Sequence, residues 1–203
     1  MRVVPASKVK ELRERTGAPM MDCKRALEDA GGDMERAATL LRERGQLKAE
    51  KKAGRTAQEG LVESYIHLSG RIGALVEINC ETDFVANTED FHNLAHDIAM
   101  QVAAANPRWV SPEEVPAEVL EAERETLRRQ AEAENPGKPA AIVDRIVEGR
   151  LKKFYERECL LQQPFIKNPD VTVEQVVKDA IARLGEQIVV RRFARFERGE
   201  TGR

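Results

Sequence analysis

Metal, nucleophile and nucleotide chemistry each demand particular residues at particular spacings, and this chain carries few of them. His92 and His96 stand at i, i+4, which on a helix sets both imidazoles on one face, as zinc-binding H-E-x-x-H helices do. The residues between them are Asn93, Leu94 and Ala95, so the glutamate base is missing, and His67 is the only other histidine. No G-x-S-x-G offers a nucleophile elbow, and no G-x-x-x-x-G-K-[ST] offers a phosphate cradle. Any effect on a nucleotide must therefore act through a partner. Cys23, Cys80 and Cys159 are odd in number and contain no C-x-x-C pair; they form neither a disulfide framework nor a zinc ribbon, and suit a reducing compartment. No catalytic residue, no metal ligand and no cofactor is expected. What remains is Glu81-Thr82-Asp83-Phe84-Val85-Ala86-Asn87, where an aromatic ring adjoins a carboxylate between a strand and a helix. Loops in that position are where a rigid scaffold commonly presents its working groups.

The elements around that loop follow from periodicity. Leu61–Leu68 and Arg71–Cys80 flank Ser69-Gly70, and in the second run Ile72, Ala74, Val76, Ile78 and Cys80 alternate with other residues, the pattern of a β-hairpin with one apolar face. Phe91, Leu94, Ala95, Ile98, Ala99 and Val102 then trace one side of a long helix. Two placements of Phe84 are open. If a helix begins at Asp83, Phe84 precedes Phe91 by seven residues and shares its face in the core; if the turn is irregular, the ring projects beside Asp83. Spacing alone favours the core.

Three short helices are expected in residues 1–45: one capped by Ser7 and ending at Thr16-Gly17, one opened by Pro19 and stopped by Gly31-Gly32, and one capped by Asp33 and closed by Gly45. They read as a ubiquitin-associated-like module. Met20 and Met21 are either core filler or an adaptable docking surface, and core is favoured for at least one of them. Residues 46–60 are polar and basic, a linker open to partial helix formation, whose Lys48, Lys51 and Lys52 read as a solvated tether.

The rest, 61–203, is expected as an α+β core domain. Its antiparallel helical hairpin at about 115–158 is divided by Asn135-Pro136-Gly137-Lys138-Pro139. A helix capped by Thr172 follows, and Ile188–Phe196 forms a strand that completes a three-stranded antiparallel sheet with the central hairpin. The fold class is α+β.

Composition narrows the function. Thirty-three Lys and Arg against 35 Asp and Glu leave a net charge of -2, so no bulk field draws the chain to nucleic acid, and Arg191, Arg192 and Arg195 read as solvated or ion-paired. Met1–Lys10 carries Arg2, Lys8 and Lys10 without an apolar run of signal-peptide length, and no stretch approaches the roughly 18 apolar residues of a membrane helix. The chain reads as cytoplasmic.

Two stretches then carry a family resemblance: T-G-A-P-M-M-D-C-K-R-A-L at Thr16–Leu27 with G-G-D at Gly31–Asp33, and N-C-E-T-D-F-V-A at Asn79–Ala86. With E-G-R-L-K-K-F at Glu148–Phe154, Q-P-F at Gln163–Phe165 and V-R-R-F at Val190–Phe193, the chain resembles the elongation factor Ts family in order through nearly its whole length. The resemblance implies a non-enzymatic guanine-nucleotide exchange factor of translation elongation. Its partner would be the G domain of elongation factor Tu, from which it promotes GDP release in exchange for GTP. It implies that Thr82, Asp83, Phe84 and Val85 dislodge the partner's Mg2+ and disturb its phosphate-binding loop, with Phe84 turned outward. It also implies that Pro19, Met20 and Met21 contact the same partner, although family members usually carry Gly where Pro19 stands. A homodimer in a two-plus-two complex is implied too, with no direct nucleotide, nucleic-acid or membrane binding.

Overall fold

The computed structural model describes residues 4–200, so the first three residues of the Met1–Lys10 stretch read for targeting lie outside the described residues. Helix α1 (Ala6–Thr16) starts behind Pro5 without a side-chain cap, so Ser7 falls inside the first turn and not at the cap. It ends at Gly17, whose φ of 66° closes the helix with an amide bond to the Arg13 carbonyl. Helix α2 (Met20–Asp29) follows Pro19, whose φ of -55° is near the fixed proline value and suits a helix start. The Gly32 amide bonds back to the Leu27 carbonyl at 2.8 Å, closing α2 as Gly31-Gly32 suggested.

Helix α3 (Met34–Lys52) is capped by Asp33, which accepts from the Arg36 amide at 2.9 Å. It does not stop at Gly45. Gly45 is a buried helical position, where an added Cβ would stand 3.2 Å from the Ala182 Cβ; its missing side chain serves close approach and not termination. Seven further residues of the stretch read as linker are therefore helical.

Strand β1 (Glu59–Ile66) and strand β2 (Ile72–Cys80) form the expected hairpin. A one-turn helix, α4 (Asp83–Ala86), and the long α5 (Glu89–Ala105) follow. Helices α6 (Ala117–Glu134) and α7 (Ala140–Glu158) pack together as the expected helical hairpin. Strands β3 (Pro164–Phe165) and β4 (Asn168–Thr172) pair in a small antiparallel sheet, then come α8 (Val173–Leu184) and β5 (Val189–Glu197). The larger antiparallel sheet has the order β1-β2-β5, so the last strand joins the central hairpin as expected.

The chain forms two compact units. The first takes the chain up to Val62, then Glu77–Ala95 and Gln175–Val190; the second takes Glu63–Val76, His96–Glu174 and the chain from Arg191. In the first unit Val9, Leu12, Cys23, Ala26, Leu27 and Ala37 make a small aliphatic core. The second stretch of α3 docks onto α8 there: Gln46 donates to Gln175 at 2.7 Å, and Lys52 donates to the Gly185 carbonyl.

In the second unit Leu127, Ala131, Val143, Val147, Leu151 and Phe154 form the seam of the helical hairpin. A buried amide pair supports it. Gln101 Nε2 donates to Gln163 Oε1 at 3.1 Å, while Gln101 Oε1 accepts from the Ile166 amide at 2.8 Å and Gln163 donates to the Arg157 carbonyl at 2.9 Å. Both glutamines are almost fully buried, so each bond satisfies a group that would otherwise be costly to desolvate. Arg195, with its side chain 8% exposed, donates to the Ala103 carbonyl at 3.1 Å and to Glu197 at 2.7 Å, the ion-paired outcome.

Two predictions follow from this packing. Gly60 has φ 138°, and a Cβ there would lie 2.1 Å from the Ile78 carbonyl oxygen. Gly60→Ala is expected to lower the unfolding free energy by roughly 2 kcal/mol or more, read as a shifted urea midpoint. Burial pushes the Cys80 and Cys159 thiols up from 9.0 to about 11, aided by Glu186 beside Cys80 and Glu158 beside Cys159. The native state keeps these protons where the unfolded chain releases them, so stability falls as pH rises from 9 towards 11, by up to roughly 2–3 kcal/mol per thiol. Urea titrations across that range should show the slope, and Cys80→Ala with Cys159→Ala should make it shallower, while Cys23, also pushed up by burial, keeps its own contribution.

Candidate partner-contact site

The turn after β2 is built by hydrogen bonds from both sides. Thr82 is extended, with φ -133° and ψ 155°, and its hydroxyl caps α4 by accepting from the Val85 amide at 3.4 Å. The Asn87 amide and side chain both donate to the Asp83 carbonyl, at 3.0 and 2.8 Å. Thr88 then starts α5 afresh: its hydroxyl donates to the Val85 carbonyl at 2.8 Å and accepts from the Phe91 amide at 3.3 Å. Two caps six residues apart make two separate helices, so the seven-residue spacing from Phe84 to Phe91 no longer implies a shared face. Phe91 is fully buried and Phe84 is 83% exposed. Core placement of Phe84, which spacing favoured, is overturned.

Asp83 is exposed beside that ring, Val85 is half-buried, and Ala86 is the buried anchor of the turn. Beneath it, Glu186 in the connection from α8 to β5 accepts from the Glu81 amide at 3.1 Å, the Thr82 amide at 3.0 Å and the Thr82 hydroxyl at 2.6 Å. Glu81 returns the contact, accepting from the Gln187 amide at 2.7 Å, with Arg55 at 3.5 Å. That amide bond, then Arg55, holds the Glu81 carboxyl below its usual range. Sequence reasoning missed Glu186 because it lies 104 residues from Thr82 in an irregular connection with no periodic signal.

The other expected contact residues lie at the start of α2. Pro19 is exposed, its carbonyl accepting from the Asp22 and Cys23 amides at 2.9 and 3.0 Å. Met20 is 43% and Met21 56% exposed, so neither is core filler, contrary to the expectation for at least one. The buried seam of α2 begins only at Cys23, one turn further on. Pro19 and Thr82–Val85 belong to the same compact unit.

A cleft of about 800 Å³ opens beside Pro19 among α2, α3 and α8. Much of its charge is paired internally, with Lys48 on Asp22 at 2.7 Å, Arg44 on Asp29 at 2.5 Å and Arg15 on Glu35 at 2.6 Å. His96 sits 3.3 Å from Glu63 and edge-on to Tyr65, and among the described residues no group of three metal-ligating side chains comes together. Among the described residues, no helix is long and apolar enough to cross a membrane.

The T-D-F-V stretch thus forms a surface turn capped at both ends and tipped by an exposed phenylalanine. The family model described as "Elongation factor TS" matches residues 3–200. The chain belongs to the elongation factor Ts family. It is 64% identical over 198 residues to the elongation factor Ts of Caldanaerobacter subterraneus subsp. tengcongensis, covering 98% of each chain. It is 62% identical to that of Carboxydothermus hydrogenoformans, covering 98% of this chain and 90% of the relative, and 59% identical to that of Moorella thermoacetica, covering 98% and 97%. In this chain, truncating the exposed ring should cost the fold nothing. Phe84→Ala is expected to change unfolding free energy by no more than about 0.5 kcal/mol, measured by urea denaturation.

Proposed function

We propose that the protein is a guanine-nucleotide exchange factor that docks on the G domain of elongation factor Tu and speeds release of GDP, making and breaking no bond itself. The observation that carries this reading is Phe84, exposed on a turn whose backbone is capped at both ends, in a member of the elongation factor Ts family. Burying a lone aromatic in a partner's surface yields hydrophobic stabilisation that solvent exposure withholds. The adjoining Asp83 carboxylate brings negative charge toward the partner's own metal and phosphates.

Mg2+ and the phosphate-binding loop provide most of a GTPase's hold on GDP. In this reading Thr82, Asp83, Phe84 and Val85 press into that region of the partner, dislodge its Mg2+ and displace the loop. Linkage makes the effect reciprocal: the factor weakens GDP binding by the factor through which GDP weakens docking. An excess of GTP then gives the exchange its direction. Pro19, Met20 and Met21, exposed at the head of α2, supply a second contact on the same G domain. The chain needs no cofactor and holds no nucleotide in this scheme, and it works in the cytoplasm without contacting nucleic acid or membrane.

A homodimer in a two-plus-two complex fits an apolar sheet face. Ile66, Leu75 and Phe196 are 66%, 47% and 70% exposed. The strand neighbours Tyr65 and Arg195 point instead toward α5, through His96 and the Ala103 carbonyl. A second copy of that face would cover these side chains.

Stopped-flow release of a fluorescent GDP from elongation factor Tu tests the proposal. The wild-type chain should accelerate release strongly. Phe84→Ala and Asp83→Ala should each lose on the order of tenfold or more of that acceleration while weakening docking less. Wild-type acceleration in both variants would make the turn a structural feature only.

A further inference from the structure

The exposed turn is held from below by a residue distant in sequence, and we propose that Glu186 is a positioning residue for Phe84. This deepens, and rests on, the exchange reading above. The Glu186 carboxylate receives three hydrogen bonds from two consecutive residues: the Glu81 amide at 3.1 Å and the Thr82 amide at 3.0 Å on one oxygen, and the Thr82 hydroxyl at 2.6 Å on the other. Bonds to an ionised acceptor are stronger than neutral ones, and the shortest of the three lies in the range of a hydroxyl bonded to a carboxylate.

The hydroxyl bond matters most for position. A threonine hydroxyl has one hydrogen and two lone pairs. With its hydrogen committed to Glu186, the Thr82 oxygen can turn only a lone pair toward the Val85 amide, the contact that caps α4. Glu186 thus orients the cap, and the cap orients the single helical turn that carries Phe84. Helix α4 has four residues and is closed by only two helical backbone bonds, the Ala86 amide to the Thr82 carbonyl at 3.2 Å and the Asn87 amide to the Asp83 carbonyl at 3.0 Å; an isolated turn of that length is unstable without outside support.

The support is itself anchored. Gln187 donates to Glu81 at 2.7 Å, so the two strand ends are laced by a carboxylate from each side. The adjacent Gly185 carbonyl receives Lys52 from the end of α3, and Arg55 lies 3.5 Å from Glu81. Glu186 touches neither Asp83 nor Phe84 in any of these contacts; its action on the ring passes through Thr82.

The experiment reads ring order and exchange separately. A 4-fluorophenylalanine at position 84 reports by 19F NMR on the isolated full chain, and stopped-flow GDP release from elongation factor Tu reports exchange at saturating factor. Wild type should give one narrow resonance. Glu186→Ala should broaden or split it and slow release at saturation on the order of tenfold, with docking affinity changed much less. Glu186→Gln keeps an oxygen for the two amides but turns an NH2 group to the Thr82 hydroxyl, so that bond loses its charged acceptor and reverses direction, and both signals should fall between wild type and Glu186→Ala.

Thr82→Val, which removes only the hydroxyl, should resemble Glu186→Ala, and the double variant should be little worse than either single one, as expected for one coupled path. Thr82→Ser should restore the wild-type pattern. If Glu186→Ala does not fold, Glu186→Gln and Thr82→Val carry the comparison. A narrow, unshifted resonance with wild-type release in the Glu186 and Thr82→Val variants overturns the inference, and so does a mobile ring with unimpaired release. Failure of the wild-type chain to accelerate release sinks the exchange reading instead, and leaves the 19F result to decide whether Glu186 orders the turn.

Discussion

A solvent-exposed aromatic ring can act on another molecule only if the backbone beneath it is already ordered. Fixing a residue's backbone costs about 1–2 kcal/mol of conformational entropy, and a turn that stays loose until docking must lose that freedom on docking. In this chain the cost is met before any partner arrives, by the Glu186 carboxylate gathering the Glu81 and Thr82 amides and the Thr82 hydroxyl. Much of the first unit can be understood as the frame for that contact. Helix α8 delivers the connection that bears Glu186, and α3 lies along α8 because Gly45 admits Ala182. Lys52, at the end of α3, ties down the carbonyl of Gly185.

The second unit is organised differently. Its helical hairpin is held by an aliphatic seam from Leu127 to Phe154, while the ion pairs across it, Arg124 to Glu148 at 3.2 Å and Arg128 to Asp144 at 2.8 Å, are largely solvated and add little. Its irregular segment around Gln163 is fixed by buried amide groups, where an unmade bond costs more than a made one gains. The β1-β2-β5 sheet leaves Ile66, Leu75 and Phe196 exposed to solvent.

Periodic signals were legible wherever a single element decided the outcome. The alternation from Ile72 to Cys80, the i, i+3, i+4 stripe from Phe91 to Val102, the Asp33 cap and the Gly31-Gly32 stop each describe a local hydrogen-bond or burial pattern, and each appears in the structure. Signals that need a neighbour were ambiguous. Gly45 ends a helix in one context and admits a second helix in another, and only Ala182 distinguishes the two. Ser7 has the side chain of a cap, yet the helix begins one residue earlier behind Pro5. Met20 and Met21 match a core pattern, but the seam they would join begins at Cys23.

For the candidate site the division is the same. The sequence by itself determined the order of elements, the α+β class, the family, and the strand-to-helix location of Thr82–Val85, because these depend on residue types within a few positions of one another. Only the tertiary structure decided that Phe84 faces solvent while Phe91 is buried. That outcome depends on Thr88 restarting the helix and on Glu186, 104 residues beyond Thr82, holding the threonine hydroxyl in place. A lone glutamate in an irregular connection has no period to betray it; its role exists only once folding has brought two distant strand ends within hydrogen-bonding reach.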